Sequence, residues 1–517
     1  MKIFYDSDRG RETLSRQLSA TLIKKFYLNN LSGHSGRTTA ILTSVLLIAI
    51  LLSEGCSDGQ KEPFNVGVGV VNITPPVGYP HYQGISTGVR DSLYAKALAF
   101  NQGGQQGVLL ICNVIGIPRD LSRIVRERAS KETGIPYQYI SITATHNHTG
   151  PSFNDPLQAY ADHEAAGKLT DEDRNGYIGF LIDGMVKSIV IALKNMQPAV
   201  MNSGIGHAEG ISFNRRYLMT DGRVVMNPGH MNPKIVRPAG PIDPDVHFVL
   251  FRPEGMEEYN ASLTVFASHY ARGIYEFSSD YPFYLGEKLK EFYGKQVVSV
   301  FGSGTCGDIN TVDVSRQNAE PDGTPAGVEW VSIVGNMVAD AIRDALPAAS
   351  KGTPGFKIAS STIHLPLQDF TSEELEWAMG DPKDTLVLYP DRRWLIRFRR
   401  GKILSLAKLH QREAVAPAVA GQPWTLPVEI HAFRLDDRTA IITMPGEIFV
   451  EHGLAIKERS PFSNTLVIEL ANASIGYVPT VRSFSQGDYE AINSRLAPGS
   501  GEKMVDEAVR MLNELNN

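Results

Sequence analysis

Short β-type runs alternate with longer helical patterns along most of this 517-residue chain. That alternation excludes all-α and all-β folds and points to an α/β fold. Apolar and β-branched runs predict strands over 65–71, 94–100, 107–112, 140–144, 247–251, 263–267, 297–301, 358–365, 430–435, 440–443 and 466–470. Periodic patterns predict helices over 121–133, 171–194, 281–293, 330–345, 372–379, 391–413, 448–458 and 502–516. No internal repeat stands out. Residues 214–244, rich in Gly, Pro and Asn, are too many for a plain connection, and they read as a contribution to a binding surface or as a surface excursion.

With 42% hydrophobic and 21% charged residues, the chain has a globular composition, too apolar for a disordered tail. Its three cysteines exclude a disulfide-dense scaffold, and Cys112 and Cys306 are expected to be free thiols. Charge is unevenly spread. The first 56 residues carry seven basic and four acidic side chains, leaving 43 basic and 52 acidic ones after Cys56, which argues against nucleic acid as a partner.

Residues 40–52 are an apolar stretch preceded by Lys24, Lys25 and Arg37. This is a signal-peptide core rather than a full membrane span, which needs about 20 apolar residues. Ser53-Glu54-Gly55-Cys56 and a polar tether follow. The pattern resembles a bacterial lipoprotein signal with Cys56 as the lipidated residue; the alternative is an uncleaved N-terminal anchor. Both place the body of the protein outside the cytoplasm, periplasmic or on the cell surface, with membrane attachment through the N-terminus. The expected division is a signal over 1–56, a tether over 57–64 and a catalytic domain over 65–517.

The polar residues that stand out sit where strands end. The run Ile140 to Thr145 leads into His146-Asn147-His148-Thr149-Gly150-Pro151, the run from Leu263 leads into His269, and the run from Ala440 leads into Pro445-Gly446-Glu447. Ligands of open α/β sheets bind at such carboxyl ends. In extended chain, residues two apart face the same way, so His146 and His148 would project together. The pair suits two metal ligands, or one ligand beside a proton-transfer residue. The metallo-β-lactamase arrangement does not fit, because Thr149, Gly150 and Pro151 follow where Asp and His are needed; a barrel amidohydrolase would carry the pair on its first strand. Catalytic zinc takes three or more His, Asp or Glu ligands and keeps a position for water. His269 and Glu447 would complete such a set with His146, and Tyr477 is a less usual but chemically reasonable phenolate ligand.

The segment Thr145-His146-Asn147-His148-Thr149-Gly150-Pro151 resembles the Thr-His-x-His-Ser-Gly-Pro segment of the neutral/alkaline, non-lysosomal ceramidases. Further segments are similar in the same order: Asn72-Ile73-Thr74-Pro75-Pro76, Phe213-Asn214-Arg215, Phe266-Ala267-Ser268-His269, Ser279-Asp280-Tyr281-Pro282, Cys306-Gly307-Asp308-Ile309, Pro445-Gly446-Glu447 and Gly476-Tyr477-Val478-Pro479-Thr480. The resemblance implies one large α/β zinc-hydrolase domain. It implies a Zn²⁺ held by His146, His269, Glu447 and Tyr477, with His148 and Arg215 near the scissile amide. The implied reaction is hydrolysis of an N-acyl bond in a lipid or other N-acylated small molecule. His148 would shuttle a proton to the leaving amine, and Arg215 would hold the oxyanion or a headgroup.

Two departures from that family qualify the expectation. Asn310 stands where ceramidases have a catalytic serine, and an amide replaces the serine's hydrogen bond if water is the nucleophile. The chain also ends soon after the Tyr477 segment, which leaves no room for the family's C-terminal immunoglobulin-like domain. The alternatives are a zinc hydrolase of the same fold acting on an ester or a glycan-linked N-acyl group, or a surface binding protein without turnover. Arg215 and Arg216 read as a site pair, surface charges or carboxylate partners; Asp308 reads as a turn cap or a group orienting a ligand. The basic run from Asp391 through Arg392, Arg393, Arg397, Arg399, Arg400 and Lys402 reads as a solvated face or a dock for an anionic group.

Overall fold

A computed structural model describes residues 62–270, 274–315, 327–380 and 394–517. The expectations for the leader, for Cys56 and for Asp391, Arg392 and Arg393 lie outside the described residues. Eight strands form one sheet: β1 (Asn65–Asn72), β2 (Tyr94–Gln102), β3 (Gln105–Cys112), β4 (Ile140–Ala144), β5 (Gln197–His207), β6 (Asp245–Pro253), β7 (Ala261–Phe266) and β8 (Val298–Ser303), in the order β8-β7-β6-β5-β1-β2-β3-β4. Four more form a second sheet in sequential order: β9 (Pro354–Pro366), β10 (Thr425–Asp436), β11 (Thr439–Thr443) and β12 (Asn464–Ile468).

Pairing register reveals a threefold topological repeat that the sequence does not display. β1-β2-β3 are antiparallel neighbours, then the chain crosses through helix α1 (Arg119–Thr133) and returns as β4 parallel to β3. Strands β5-β6-β7 repeat this pattern before β8, after a crossover that contains α3 (Tyr281–Tyr293). Strands β9-β10-β11 repeat it again before β12, after α6 (Val450–Arg459). A second helix follows each unit: α2 (Tyr177–Lys194), α4 (Gly327–Ala345) and α7 (Ser500–Asn516), with α5 (Trp394–Arg412) inserted in the third unit. The first two units share a sheet only through the Asn65–Pro198 and Val66–Gln197 pairs of β1 and β5.

Period-two alternation sorts the side chains of each unit. In β2, Ala95, Ala97 and Ala99 face a core made with α1 and α2, whereas Leu98 and Phe100 face the opposite way. There they meet Val249 and Phe251 of β6, Leu263 of β7 and Phe433, Ile441 and Leu466 of the third unit in one shared apolar core. Each buried side chain of this size contributes about 1.5–3 kcal/mol. The three units thus pack with their inner sheet faces together and their helices outside.

The eleven predicted strands are all present, with ends displaced by a few residues. β5 was not expected, and its sequence explains why: it carries Pro, Asn, Ser and two Gly instead of a β-branched run. A Cβ on Gly206 would lie 2.4 Å from the Ala341 carbonyl oxygen of α4, so small residues are required where the helix lies close. The helix expected over 171–194 breaks at Gly176 into Asp171–Asn175 and α2. The stretch 214–244 is no plain excursion; it contains a three-stranded sheet of Arg216–Met219, Val224–Met226 and Ile235–Pro238. No helix among the described residues is long and apolar enough to cross a membrane.

Candidate metal centre

In all three units the carboxyl ends of the parallel strand pairs turn toward one place. His146 follows β4 by two residues, His269 follows β7 by three, and Glu447 follows β11 by four. His146 leaves the strand with φ +61°, a left-handed backbone uncommon for a side chain of this kind. The extended alternation expected for His146 and His148 therefore fails: a kink and a turn bring their rings together, perpendicular at 4.7 Å between centroids.

Two imidazoles are aimed by main-chain carbonyls. His146 Nδ1 donates to the Ile115 oxygen at 2.8 Å, and His269 Nδ1 donates to the Cys306 oxygen at 2.7 Å. A carbonyl only accepts, so both Nδ1 atoms carry their proton, and each ring, when neutral, turns its Nε2 lone pair toward the cluster. Those two nitrogens lie 3.1 Å apart. Two lone pairs at that separation repel unless a cation lies between them, and two nitrogens at tetrahedral angles on one zinc lie about 3.3 Å apart. Glu447 Oε2 is 3.5 Å from His146 Nε2 and 3.6 Å from His269 Nε2. The donor set fits a divalent ion.

Both histidines are buried. Burial opposes charge on Glu447, but the two imidazoles outweigh it and hold the carboxyl well below its usual value. Burial likewise opposes charge on His146, and Glu447 overrides it to raise the ring above its ordinary value. Burial and Arg215 push His269 down to about 4. Tyr477 is placed by strand pairing: Glu447–Ile448 runs parallel to Tyr477–Val478, with Glu447 opposite Tyr477.

His148 Nε2 lies 3.2 Å from His146 Nε2, so three imidazoles converge, close enough to share an ion. Its surroundings differ from those of the other two. Its ring stacks on Tyr270 at 3.9 Å and meets Tyr82, 53% exposed, edge-on at 4.7 Å. Burial, together with the neighbouring histidines and Arg215, holds its imidazole well below its ordinary value.

Arg215 also reaches the cluster, with Nη1 3.4 Å from His269 Nε2. Its Nη2 donates to the Gly307 oxygen at 2.6 Å and its Nε to Glu490 Oε1 at 2.8 Å. Arg216 donates to the other oxygen of Glu490 at 2.9 Å. Glu490 is fully buried; burial opposes its charge, and the two guanidinium groups hold it ionised below the usual range. Glu490 was missed in the sequence. Consecutive arginines pointed to a carboxylate partner but not to which one. Tyr489 was missed too; its ring lies 5.4 Å from that of Tyr477 and 4.7 Å from Phe398 of α5.

Asn310 does not join the histidines directly. Its amide nitrogen donates to Asn227 at 3.1 Å and its oxygen accepts from the Val312 N–H at 3.0 Å. Its strand, Ile309–Asn310, pairs with Phe213–Asn214 and so delivers Arg215 to the site. Asp308 caps a remote helix rather than its own turn: it accepts from the Val450 N–H at the start of α6 and from Asn214, and burial raises its carboxyl to about 6. In the basic run of α5, Arg399 pairs with Glu374, Arg400 donates to the Ala378 oxygen and Lys402 donates to Gln368. Those three are absorbed by local partners. Cys112 and Cys306 are free and buried.

Three α/β units with a histidine–carboxylate cluster at their common strand ends define the class: a chain with the neutral ceramidase fold. It superposes on the crystal structure of neutral ceramidase from Pseudomonas aeruginosa with a TM-score of 0.61 over 89% of this chain and 76% of that one, at 18% identity. A structure described as ceramidase complexed with C2 gives 0.62 over 88% and 75%, again at 18% identity. In sequence the chain is similar to the neutral ceramidase of Mycobacterium tuberculosis strain H37Rv, 26% identical over 217 residues. The match covers 40% of this chain and 32% of that relative. No protein-family model matches. Fold and sequence similarity both point to the neutral ceramidases as the proteins this chain resembles.

Proposed function

We propose that the protein is a zinc-dependent hydrolase of an N-acyl bond, acting on a ceramide or a related N-acylated lipid. The observation that carries this reading is the pair of imidazole Nε2 atoms 3.1 Å apart beside the half-buried Glu447 carboxylate. His146, His269 and Glu447 would hold the ion, with Tyr477 alongside. When bound, zinc supplies Lewis acidity that polarises a carbonyl and activates water.

The remaining chemistry belongs to the chain. His148 lacks the backbone carbonyl anchor that fixes His146 and His269, lies beside the partly exposed Tyr82, and is held by burial below its ordinary value; these properties suit a base that accepts a proton at Nε2 and returns it to the departing amine. Arg215, buried and held by Glu490 and the Gly307 carbonyl, carries a fixed positive charge for the oxygen on which negative charge develops. The Asn310 amide is occupied by Asn227 and Val312, which supports water rather than residue 310 as the nucleophile.

Elemental analysis of purified protein, alongside fatty-acid release from a short-chain ceramide and a panel of N-acyl and ester substrates, tests the reading. We expect about one zinc per chain and hydrolysis of at least one N-acyl substrate. His146→Ala and His269→Ala should each lose the metal and lower turnover by more than about a hundredfold. Full activity in a metal-free His269→Ala protein would refute the proposal, and stoichiometric metal with no turnover of any panel member would reduce it to a binding role.

A further inference from the structure

The turn from Gly304 to Asp308 touches most of the centre. Its Cys306 carbonyl aims His269, its Gly307 carbonyl holds Arg215, and its Asp308 side chain caps α6 just after Glu447. It lies so close to the Glu447 strand that a Cβ on Gly307 would stand 2.5 Å from the Glu447 carbonyl oxygen. The Gly307 N–H donates to the Ile448 oxygen at 2.8 Å. A carboxylate outside every sequence motif secures this contact from beneath.

Glu469, the first residue after β12, is fully buried. Its Oε2 accepts from the Ile448 N–H at 2.7 Å and from the Cys306 N–H at 3.3 Å, and its Oε1 accepts from the Cys306 thiol at 3.0 Å. Its own N–H donates to the Ser303 oxygen at the end of β8 at 3.0 Å. One side chain therefore grips two segments: the turn whose carbonyl orients His269, and the strand that carries Glu447. Burial and the Glu469 carboxyl both push the Cys306 thiol well up, so it remains a donor. An apolar residue at 469 would leave the Ile448 and Cys306 N–H groups without their acceptor in the interior.

We infer that Glu469 is a positioning residue for the metal, fixing the gap between the His269 imidazole and the Glu447 carboxylate by hydrogen-bonding the backbone behind each. The inference rests on the reading of this cluster as a metal site. Glu469 touches neither the ion position nor substrate; it acts through Cys306 and Ile448. Groups that support ligands from behind typically change metal affinity by about 10–100-fold when replaced.

The test is a zinc competition titration against a chromophoric chelator, with thermal unfolding in parallel. With the titration run above pH 8, where the carboxyl is ionised and only accepts, Glu469→Gln keeps the size but turns one oxygen into a donor facing donors and should weaken zinc binding by about 10–100-fold; Glu469→Ala should weaken it at least as much. Cys306→Ser, which preserves a donor to Oε1, should bind within about threefold of wild type. Asp436→Asn is the control: Asp436 is an equally buried carboxylate that accepts from the Arg438 and Thr439 N–H groups at the far end of β11, and its loss should lower the melting temperature with zinc affinity unchanged. Wild-type affinity in both Glu469 variants, or an equal loss in Asp436→Asn, would overturn the assignment while leaving the metal reading intact. A wild-type protein that takes up no zinc would instead remove the reading on which both rest.

Discussion

The shared apolar core and the strand ends above it are built by the same three units, yet the units treat the two regions in opposite ways. In the core every unit contributes the same chemistry: Leu98 and Phe100, Val249 and Phe251, Phe433 and Ile441 are interchangeable in kind. At the strand ends each unit contributes something different: two imidazoles and an orienting carbonyl from the first, one imidazole, an orienting carbonyl and a guanidinium from the second, and the Glu447 and Glu469 carboxylates from the third. Repetition supplies the scaffold and divergence supplies the site. Stability and metal affinity should therefore respond to different residues.

The largest effect on stability alone is expected from Phe100→Ala. Phe100 is fully buried and packs against Phe64, Phe251, Phe356 and Phe433. Its truncation should cost about 3–5 kcal/mol in chemical denaturation with zinc affinity within about twofold of wild type. A parallel loss of zinc binding would show that core and centre are not separable.

Glu490→Gln sharpens the contrast from the other side, because this carboxylate is buried for the site's sake. Two buried guanidinium groups would lose their counter-charge, at about 3 kcal/mol, and Arg215 would lose its fixed position. Turnover should fall by about 10–100-fold with zinc content unchanged. A variant that loses stability but keeps full turnover would assign Glu490 to the scaffold.

A smaller effect separates the regions by pH. In the metal-free protein, burial lifts the Glu469 carboxyl from its ordinary 4.5 to about 8. Between those values the folded chain keeps a proton that the unfolded chain has released, so this group's contribution to stability falls as pH rises through the window. Buried histidines such as His431, lowered to about 4 by burial, act in the other sense and lose stability as pH falls below 6.5. They are common to wild type and Glu469→Gln, so the difference between the two proteins in urea unfolding of metal-free samples at pH 5 and pH 8 isolates Glu469. The wild type should lose more stability than the variant over that interval; identical slopes would contradict the raised value.

The sequence disclosed whatever was written in local pattern. Strand β4 is legible as an apolar run, and α3 and the Ser372–Met379 helix coincide with their predicted limits. His146, His269 and Glu447 were legible because each ends a readable strand. β5 was not, since its Gly204 and Gly206 answer to Phe248 and Ala341, which are remote in sequence. The repeat was hidden because the units share hydrogen-bond order rather than residues. Glu469 and Glu490 carry no signal of their own. A glutamate becomes informative only when three dimensions show that it is buried and which donors surround it.

The left-handed turn at His146 has a consequence for how such centres are transplanted. The direction of that imidazole is decided in the main chain, before any rotamer is chosen, and the Ile115 carbonyl then locks it. A His-x-His tripeptide grafted onto an uninterrupted strand elsewhere would reproduce the letters without the aim. Portability resides in the bend together with its acceptor, and a designer copying this geometry must import both.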